Sequence, residues 1–406
     1  MHKLLQINIV SNLLSTGTIV EDISKAAQKR GWDTYVCYGR KALPGVNKEY
    51  RIGSNLELLW HYIENRILDN EGLGSRFATY RLLRRIKDIN PDIVHLHNIH
   101  DHYLNYKILF NFLNKRNIQV VWTFHDFWAI TGHCHYFIKA HCDLWMTGCH
   151  DCPLQHDTVN SILDQSKRNY ELKKRVFSNS KNLTIVPVSY WVGAKVKQSF
   201  LSNKRIEVIP NGIDTTLFHY REGIDCSLLP KDKFVILGVA AGWGFGDRKG
   251  LDDYIKLSYL LGDDEIICLV GMDEDLVAKM PSHIIGIERI DNKNIMRDIY
   301  STADVLLSLS KAETFGMTIV EALACGTPAI VYDNTAPPSL IVDEKTGFVA
   351  KDNDVEDVYS KIRIIRQNGK DSYRESCVKH VQENYDNNKN YDKYIDLYES
   401  LINVDK

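Results

Sequence analysis

Short apolar runs alternate with longer amphipathic stretches along almost the whole chain, the pattern of strands buried on both faces and separated by helices. Runs at 4–10, 34–38, 183–189, 234–240, 265–270 and 284–290 read as strands, and 91–98 and 120–126 as strands that finish in polar residues. Between them, 21–30 reads as a helix closed by Gly31, 81–89 as a basic amphipathic helix and 158–181 as a Lys/Arg-rich one. Further helices are expected from Leu251 and over 295–301, 355–367, 373–384 and 391–402, whereas 41–75 shows no clear period and reads as an excursion. Strands and helices in this alternation predict an α/β fold with parallel sheets. The turn signal Pro210-Asn211-Gly212 places a linker near 185–215.

The stretch 303–333 organises the rest. A strand at 305–309 leads through a loop to a helix that opens near Gly316 and stops at Cys325-Gly326, and a strand at 329–332 follows Pro328. The first amides of such a helix, at Gly316, Met317 and Thr318, have no partner within it and form an anion site suited to a phosphate or diphosphate. Glu313 on the loop and Glu321 two turns later stand where carboxylates could grip hydroxyl-rich groups on either side of that diphosphate, the layout of a nucleotide sugar. The plainer reading is a glutamate pair on the surface of an ordinary helix. A glycine-rich loop, 241–250, follows the strand at 234–240 and carries Arg248 and Lys249, either for a phosphate or as a solvated basic pair. In the first half, His95, His97 and His125 end two strands at the carboxyl edge of one sheet, as ligand contacts or structural hydrogen-bonders. The small polar stretch 11–18, with Thr16 and Gly17, reads as a phosphate-side loop or a plain connector.

The run Glu313-x-Phe315-Gly316-Met317-x-x-x-Glu321-Ala322-x-x-x-Gly326-x-Pro328 resembles the E-x7-E signature of retaining glycosyltransferases of GT-B fold. These are the family 4 or group 1 transferases, which include sucrose synthases and bacterial polysaccharide and lipid-glycan transferases. Lys249-Gly250 matches that family's Lys-Gly, Thr346-Gly347-Phe348-Val349 its Gly-Phe/Leu-Val element, and 189–218 resembles its inter-domain crossing. The resemblance implies two Rossmann-like domains facing a central cleft: an acceptor-side domain over 1–190, a nucleotide-sugar domain over 191–385 and a last helix, 386–406, crossing back to the first. It further implies a hexosyltransferase-type enzyme, retaining and independent of a catalytic metal, with no cofactor for catalysis. Its donor would be a UDP- or GDP-sugar, and its acceptor a hydroxyl of a bacterial surface glycan, polyprenyl-linked or otherwise lipid-linked. By position in the motifs, Lys249 and Arg248 with the amides of Gly316, Met317 and Thr318 stabilise the leaving diphosphate. Glu313 holds the donor sugar, Glu321 the ribose and His125 the sugar or acceptor, with Phe315, Thr16 and Gly17 also on the donor side. The family's arginine usually sits where this chain has Gly242-Trp243, so Arg248 is expected to act in its place. Two rivals remain, a GT-B sugar-nucleotide epimerase and a non-catalytic protein that binds nucleotide sugar or glycan.

Composition changes this picture in two places. The net charge of −2 over 406 residues hides an asymmetry: 1–190 hold 24 Lys/Arg against 17 Asp/Glu, and 191–406 hold 26 against 35. The positive half, above all 81–87 and 167–175, either docks on an anionic membrane surface or presents solvated helix faces; a nucleic-acid partner is not expected. No apolar run has the roughly 18 residues of a membrane span, and the first residues enter a strand without a cleavage site, so a cytoplasmic protein is expected, peripheral on the inner face of the membrane. Nine cysteines suit a reducing compartment, but four fall within 19 residues: Cys134, Cys142, Cys149 and Cys152, spaced C-x7-C-x6-C-x2-C. They read as a structural zinc site, with His135, His141 or His150 as substitute ligands, as unligated thiols, or as another metal or redox centre.

Overall fold

A computed structural model describes residues 1–224 and 226–403, save the side chains of 157 and 158. The chain makes two compact units, one of Met1–Pro210 with the chain from Asn388 on, the other Asn211–Asn387. In the first, β1 (Lys3–Ser11), β2 (Asp33–Ala42), β3 (Lys48–Arg51), β4 (Ile93–Leu96), β5 (Gln119–Phe124), β6 (Leu183–Pro187) and β7 (Arg205–Ile206) form one parallel sheet. Its order is β3-β2-β1-β4-β5-β6-β7. In the second, β8 (Phe234–Val239), β9 (Glu265–Val270), β10 (Ile284–Ile287), β11 (Val305–Ser308), β12 (Ala329–Tyr332) and β13 (Gly347–Ala350) form another, in the order β10-β9-β8-β11-β12-β13. In both sheets the order in which strands are added reverses beside the first strand, between β1 and β4 and between β8 and β11. Crossovers leave such a switch point on opposite faces, which opens a crevice at the carboxyl ends of the two strands. Every residue of β4, β6, β9 and β12 is buried, as expected of strands covered on both faces.

The first unit carries α1 (Leu14–Lys29), α2 (Asn55–Leu68), α3 (Arg76–Ile89), α4 (Tyr106–Lys115), α5 (Leu144–Thr147), α6 (Ser166–Ser178) and α7 (Tyr190–Gln198). The second carries α8 (Leu251–Ser258), α9 (Glu274–Val277), α10 (Lys293–Thr302), α11 (Met317–Ala324), α12 (Val355–Asn368) and α13 (Asp371–Asn384). The last helix, α14 (Asn387–Asn403), packs on the first unit, where Tyr391, Tyr394, Ile395 and Tyr398 join a core with Leu4, Ile23, Trp32, Ile93 and Val121. Its Tyr398 hydroxyl bonds His95 Nδ1 at 2.6 Å, and His95 Nε2 lies 2.7 Å from Thr123 Oγ1, so His95 is a satisfied core residue.

Four local differences from the sequence reading have physical causes. Residues 189–199, expected as a crossing, form α7 on a Ser189 cap, and the first unit runs on to Pro210. The excursion 41–75 contains β3 and a full helix, α2, opened by a Ser54–Glu57 capping box. α6 begins at Ser166, whose amide bonds the Asp164 carboxylate, and not at 158. α1 begins at Leu14, so Thr16 and Gly17 lie in its first turn and not on a loop.

Candidate active site

In the second unit, the loops after β8 and β11 meet at the switch point. The Lys311 amide donates to the Arg248 carbonyl at 2.7 Å, and Arg248 returns a bond to the Ala312 carbonyl at 3.3 Å. This pairing brings together the three charged residues the sequence assigned to chemistry. Lys249 Nζ bonds Glu313 Oε1, and an Arg248 guanidinium nitrogen lies 3.7 Å from the same oxygen. Ser310 Oγ donates to the same carboxylate oxygen at 3.2 Å, while the Glu313 backbone amide donates to Thr335 Oγ1 at 3.2 Å. Lys249 is fixed in turn because its own amide donates to Asp247 Oδ1 at 2.8 Å.

Immediately after Glu313, Phe315 turns its ring into the core against Tyr385, so only its backbone is available to a ligand. Gly316, at φ 114°, caps α11 in a left-handed conformation. The helix ladder starts with the Ile319 amide on the Gly316 carbonyl, which leaves the amides of Gly316, Met317 and Thr318 ahead of it, pointing out of the helix start. Two turns on, Glu321 accepts from the Tyr300 hydroxyl at 2.8 Å. Burial pushes its carboxyl up to about 7, against the smaller downward pull of Tyr300.

Trp243, standing where an arginine was expected, donates from its indole to the Val270 carbonyl at 2.9 Å and packs edge-on against Tyr254, which pins the loop but supplies no charge. With Gly242, Gly271, Met272, Glu288 and Arg289 it lines a cavity of about 470 Å³ at the carboxyl ends of β8 and β9.

In the first unit, His125 ends β5 and stacks on His97 with ring centroids 5.4 Å apart. His97 Nδ1 lies 3.1 Å from His125 Nε2, and its own Nε2 is anchored 2.9 Å from Gln6 Oε1, so His97 orients His125. Burial lowers the His125 imidazole to about 4, which makes it a neutral hydrogen-bonding group near pH 7. Thr16 and Gly17 stand at the carboxyl end of β1, with Asn8 Nδ2 3.4 Å from Thr16 Oγ1 and Gly17 packed so close that a Cβ would meet Val10 Cγ2 at 3.1 Å.

This geometry agrees with comparisons to known proteins. The model of Glycosyltransferase Family 4 matches residues 16–217, and that of Glycosyl transferases group 1 matches residues 228–384. The chain therefore belongs to the family 4, group 1 glycosyltransferases. A putative colanic acid biosynthesis glycosyl transferase of Escherichia coli K12, WcaC, is 26% identical over 294 residues, covering 70% of this chain and 69% of that one. Among solved structures, sucrose-phosphate synthase from Thermosynechococcus elongatus superposes with a TM-score of 0.70 at 15% identity, over 100% of both chains. HepE of Anabaena, in complex with UDP-glucose, gives 0.66 at 13% identity over 98% of this chain and 100% of that one. The fold of the transferase is thus GT-B, with two parallel Rossmann-like sheets.

The structure also shows a cluster of the transferase that sequence reading passed over. His100 Nε2 sits 2.8 Å from Asp126, beside His125, while His135 Nε2 lies 3.3 Å from Glu71. Ligand atoms of Glu71, His100 and His135 all fall within 4.8 Å of one another. Burial pushes His100 down and Asp126 up, but their mutual attraction wins, holding the imidazole well above and the carboxyl well below their ordinary ranges. The charged pair next to His125 therefore fixes the strand end that carries it. The run His97-Asn98-Ile99-His100-Asp101-His102 was the only local signal for it.

Among the described residues none of the nine cysteines, the four clustered ones included, is joined in a disulfide. Cys134, Cys142, Cys149 and Cys152 line a single cavity. Of the histidines expected to substitute for them, His135 is committed to Glu71, His141 is exposed and His150 pairs with Asp151.

Proposed function

We propose that the transferase moves a sugar from a UDP- or GDP-sugar to a hydroxyl of a bacterial surface glycan, lipid-linked at the membrane, with retention and without a catalytic metal. The observation that carries this reading is the convergence of Arg248, Lys249 and Glu313 beside the open amides of α11. The names of WcaC and of the HepE complex support the glycan and the nucleotide sugar. In this reaction the anomeric C–O bond of the donor breaks and its electrons pass to the diphosphate oxygen, where Lys249, Arg248 and the amides of Met317 and Thr318 meet the growing charge. The acceptor oxygen bonds the anomeric carbon from the same face and passes its proton to the departing diphosphate. Glu313 holds the sugar hydroxyls, Glu321 the ribose, and neutral His125 positions the sugar or the acceptor; Thr16 and Gly17 serve the donor side. Incubation with a panel of UDP- and GDP-sugars tests the reading. A transferase slowly hydrolyses its donor with or without EDTA, an epimerase yields an isomer, and a binding protein does neither.

Ribose binding by Glu321 makes donor affinity depend on pH. Its raised value means that, in the free protein, its contribution to stability is present below the ordinary glutamate range and is lost as pH rises through about 7. The donor takes the ionised form, whose oxygens accept from both ribose hydroxyls. Nucleotide affinity should therefore fall, by up to about tenfold per unit, as pH drops below 7. Calorimetry from pH 5.5 to 8.5 checks this, and Glu321→Gln should flatten the profile and weaken binding with little change in turnover number, since ribose contacts are uniform between ground and transition states. A steep profile surviving in Glu321→Gln refutes the assignment.

The membrane reading rests on α2 and α3. Among the described residues no helix is long and apolar enough to cross a membrane. Yet Leu56, Trp60 and Phe77 are 79%, 71% and 79% exposed and, with Leu59 and Ile63, line an apolar groove of about 460 Å³. Arg84, Arg85 and Lys87 are exposed on α3 beside it, while Arg76 and Arg81 pair with Glu64 and Glu57 at its rim. An apolar face with a basic flank is the make-up of an interfacial helix on anionic lipid. α6, the other basic helix, contributes less than expected because Lys173 points inward. The protein should float with anionic vesicles at low salt, act at the inner face of the cell membrane, and lose binding in Trp60→Ala/Phe77→Ser; equal recovery with neutral vesicles sinks the idea.

A further inference from the structure

The segment after β5 closes over the four cysteines. Cys134, Cys142, Cys149 and Cys152, with His133 and His150, line a cavity of about 10 Å³, room for roughly one atom. Among the described residues no carboxylate lines it. A soft, sulfur-rich lining of that size suits a zinc-class ion and excludes a hard cation or an organic ligand.

What surrounds the sulfurs is a shell of donors. The Gly132 amide donates to Cys149 Sγ at 3.2 Å. His133, 2% exposed, has Nδ1 on the Asp69 carboxylate at 2.6 Å, while its buried Nε2 has no hydrogen-bond partner and bears on Cys152. Carboxylate, imidazole and sulfur in that order are the outer arrangement of metal centres, in which the carboxylate fixes the ring and the ring serves the site. Lys173, 1% exposed, donates to the Trp128 and Thr131 carbonyls at 2.7 and 3.2 Å and lies within electrostatic range of the Glu71 and Asp69 carboxylates as well as of Cys134 and Cys149. Around neutral thiols, which are weak acceptors, the buried imidazole nitrogen would stay orphaned, which is costly. Around four thiolates on a divalent ion, a centre of charge −2, the Gly132 amide and that imidazole each have an acceptor.

We propose that Cys134, Cys142, Cys149 and Cys152 bind one structural zinc ion, with the Gly132 amide and the His133 imidazole donating to two of the coordinated sulfurs. The ion locks the segment that carries His135, whose ring lies 4.2 Å from that of His100 and so braces the strand end beside His125.

The full chain, purified without chelator, should contain about one zinc per molecule by elemental analysis. Cys149→Ser and Cys152→Ser should each drop below a tenth of that and unfold at lower temperature, whereas Cys268→Ser, a buried thiol in the other unit, should keep its zinc. Where a variant fails to fold, the wild type decides alone, because thiol titration with a mercurial should release the metal. Cobalt exchanged into the site should show a tetrathiolate spectrum, retained in His133→Asn, which loses metal faster to chelator. Less than a tenth of an equivalent of zinc in the wild type, disulfides found by mass, iron with inorganic sulfide, or a cobalt spectrum that changes ligand class in His133→Asn would each overturn the proposal.

Discussion

Replacing Lys249 with alanine should lower the turnover number by on the order of 10²-fold or more, with a much smaller change in nucleotide affinity. The ammonium is partly withdrawn from water on a loop tied down by the Asp247 carboxylate, and it already holds a counter-charge in Glu313. Binding a donor exchanges that carboxylate for a diphosphate, whose charge grows only as the anomeric bond breaks. A fixed cation therefore interacts more strongly with the transition state than with the bound donor, which is the condition for acting on rate more than on affinity. Glu313→Ala should also reduce turnover more than nucleotide binding, because it is assigned to the sugar. The two residues form one ion pair, so the double variant should lose less than the product of the single losses. Arg248→Ala gives the comparison that matters for this chain: a loss near that of Lys249→Ala makes it the functional replacement for the arginine absent at 242–243, whereas near-normal turnover leaves the charge to Lys249 and the helix amides. Single-turnover assays with the true donor measure all four. Wild-type rates in both Lys249→Ala and Glu313→Ala would sink the site assignment.

What could be read from the sequence was what is local in it. β9 and β12 fall on the residues expected, because a strand covered on both faces is a continuous apolar run with turn signals at its ends. The donor side was legible for a related reason: Glu313, the Gly316 cap and Glu321 lie within one strand-loop-helix unit, so their spacing alone sets their relative positions. α2 was missed although its Ser54–Glu57 box was in plain view, since Leu56, Leu59 and Trp60 face solvent and the helix has no single apolar side turned to the core. The Glu71, His100, Asp126 and His135 cluster is drawn from stretches up to 64 residues apart, and no periodicity reports on such a meeting. His133 was overlooked in favour of three other histidines for the same reason, because the Asp69 that orients it comes from the end of α2. Arg248 was legible only as a displaced basic residue. The backbone bond between 248 and 311, and the guanidinium bond from Arg248 to the Ala312 carbonyl, which put it within reach of Glu313, are tertiary.

That pairing depends on one glycine. Gly250 sits at φ 78°, and a Cβ there would meet the Leu309 carbonyl oxygen at 2.2 Å. Gly246, on the same loop at φ 65°, has nothing within 4 Å of the corresponding point. Alanine at 246 should thus incur only the left-handed backbone cost, about 1 kcal/mol, with turnover nearly intact. Alanine at 250 carries the same cost and adds a collision with backbone that belongs to the end of β11, which cannot swing aside as a side chain would. The loop must lift, stretching the bond between the Lys311 amide and the Arg248 carbonyl and drawing Lys249 off Glu313. A displacement of about 1 Å at a catalytic group lowers rate by on the order of 10²-fold. Gly250→Ala should therefore approach the turnover of Lys249→Ala although no catalytic side chain has been touched, while its melting temperature falls by more than that of Gly246→Ala. Thermal unfolding and single-turnover transfer on the two variants decide it: equal, mild effects at 246 and 250 would show that the close approach to β11 does not hold the cation in place.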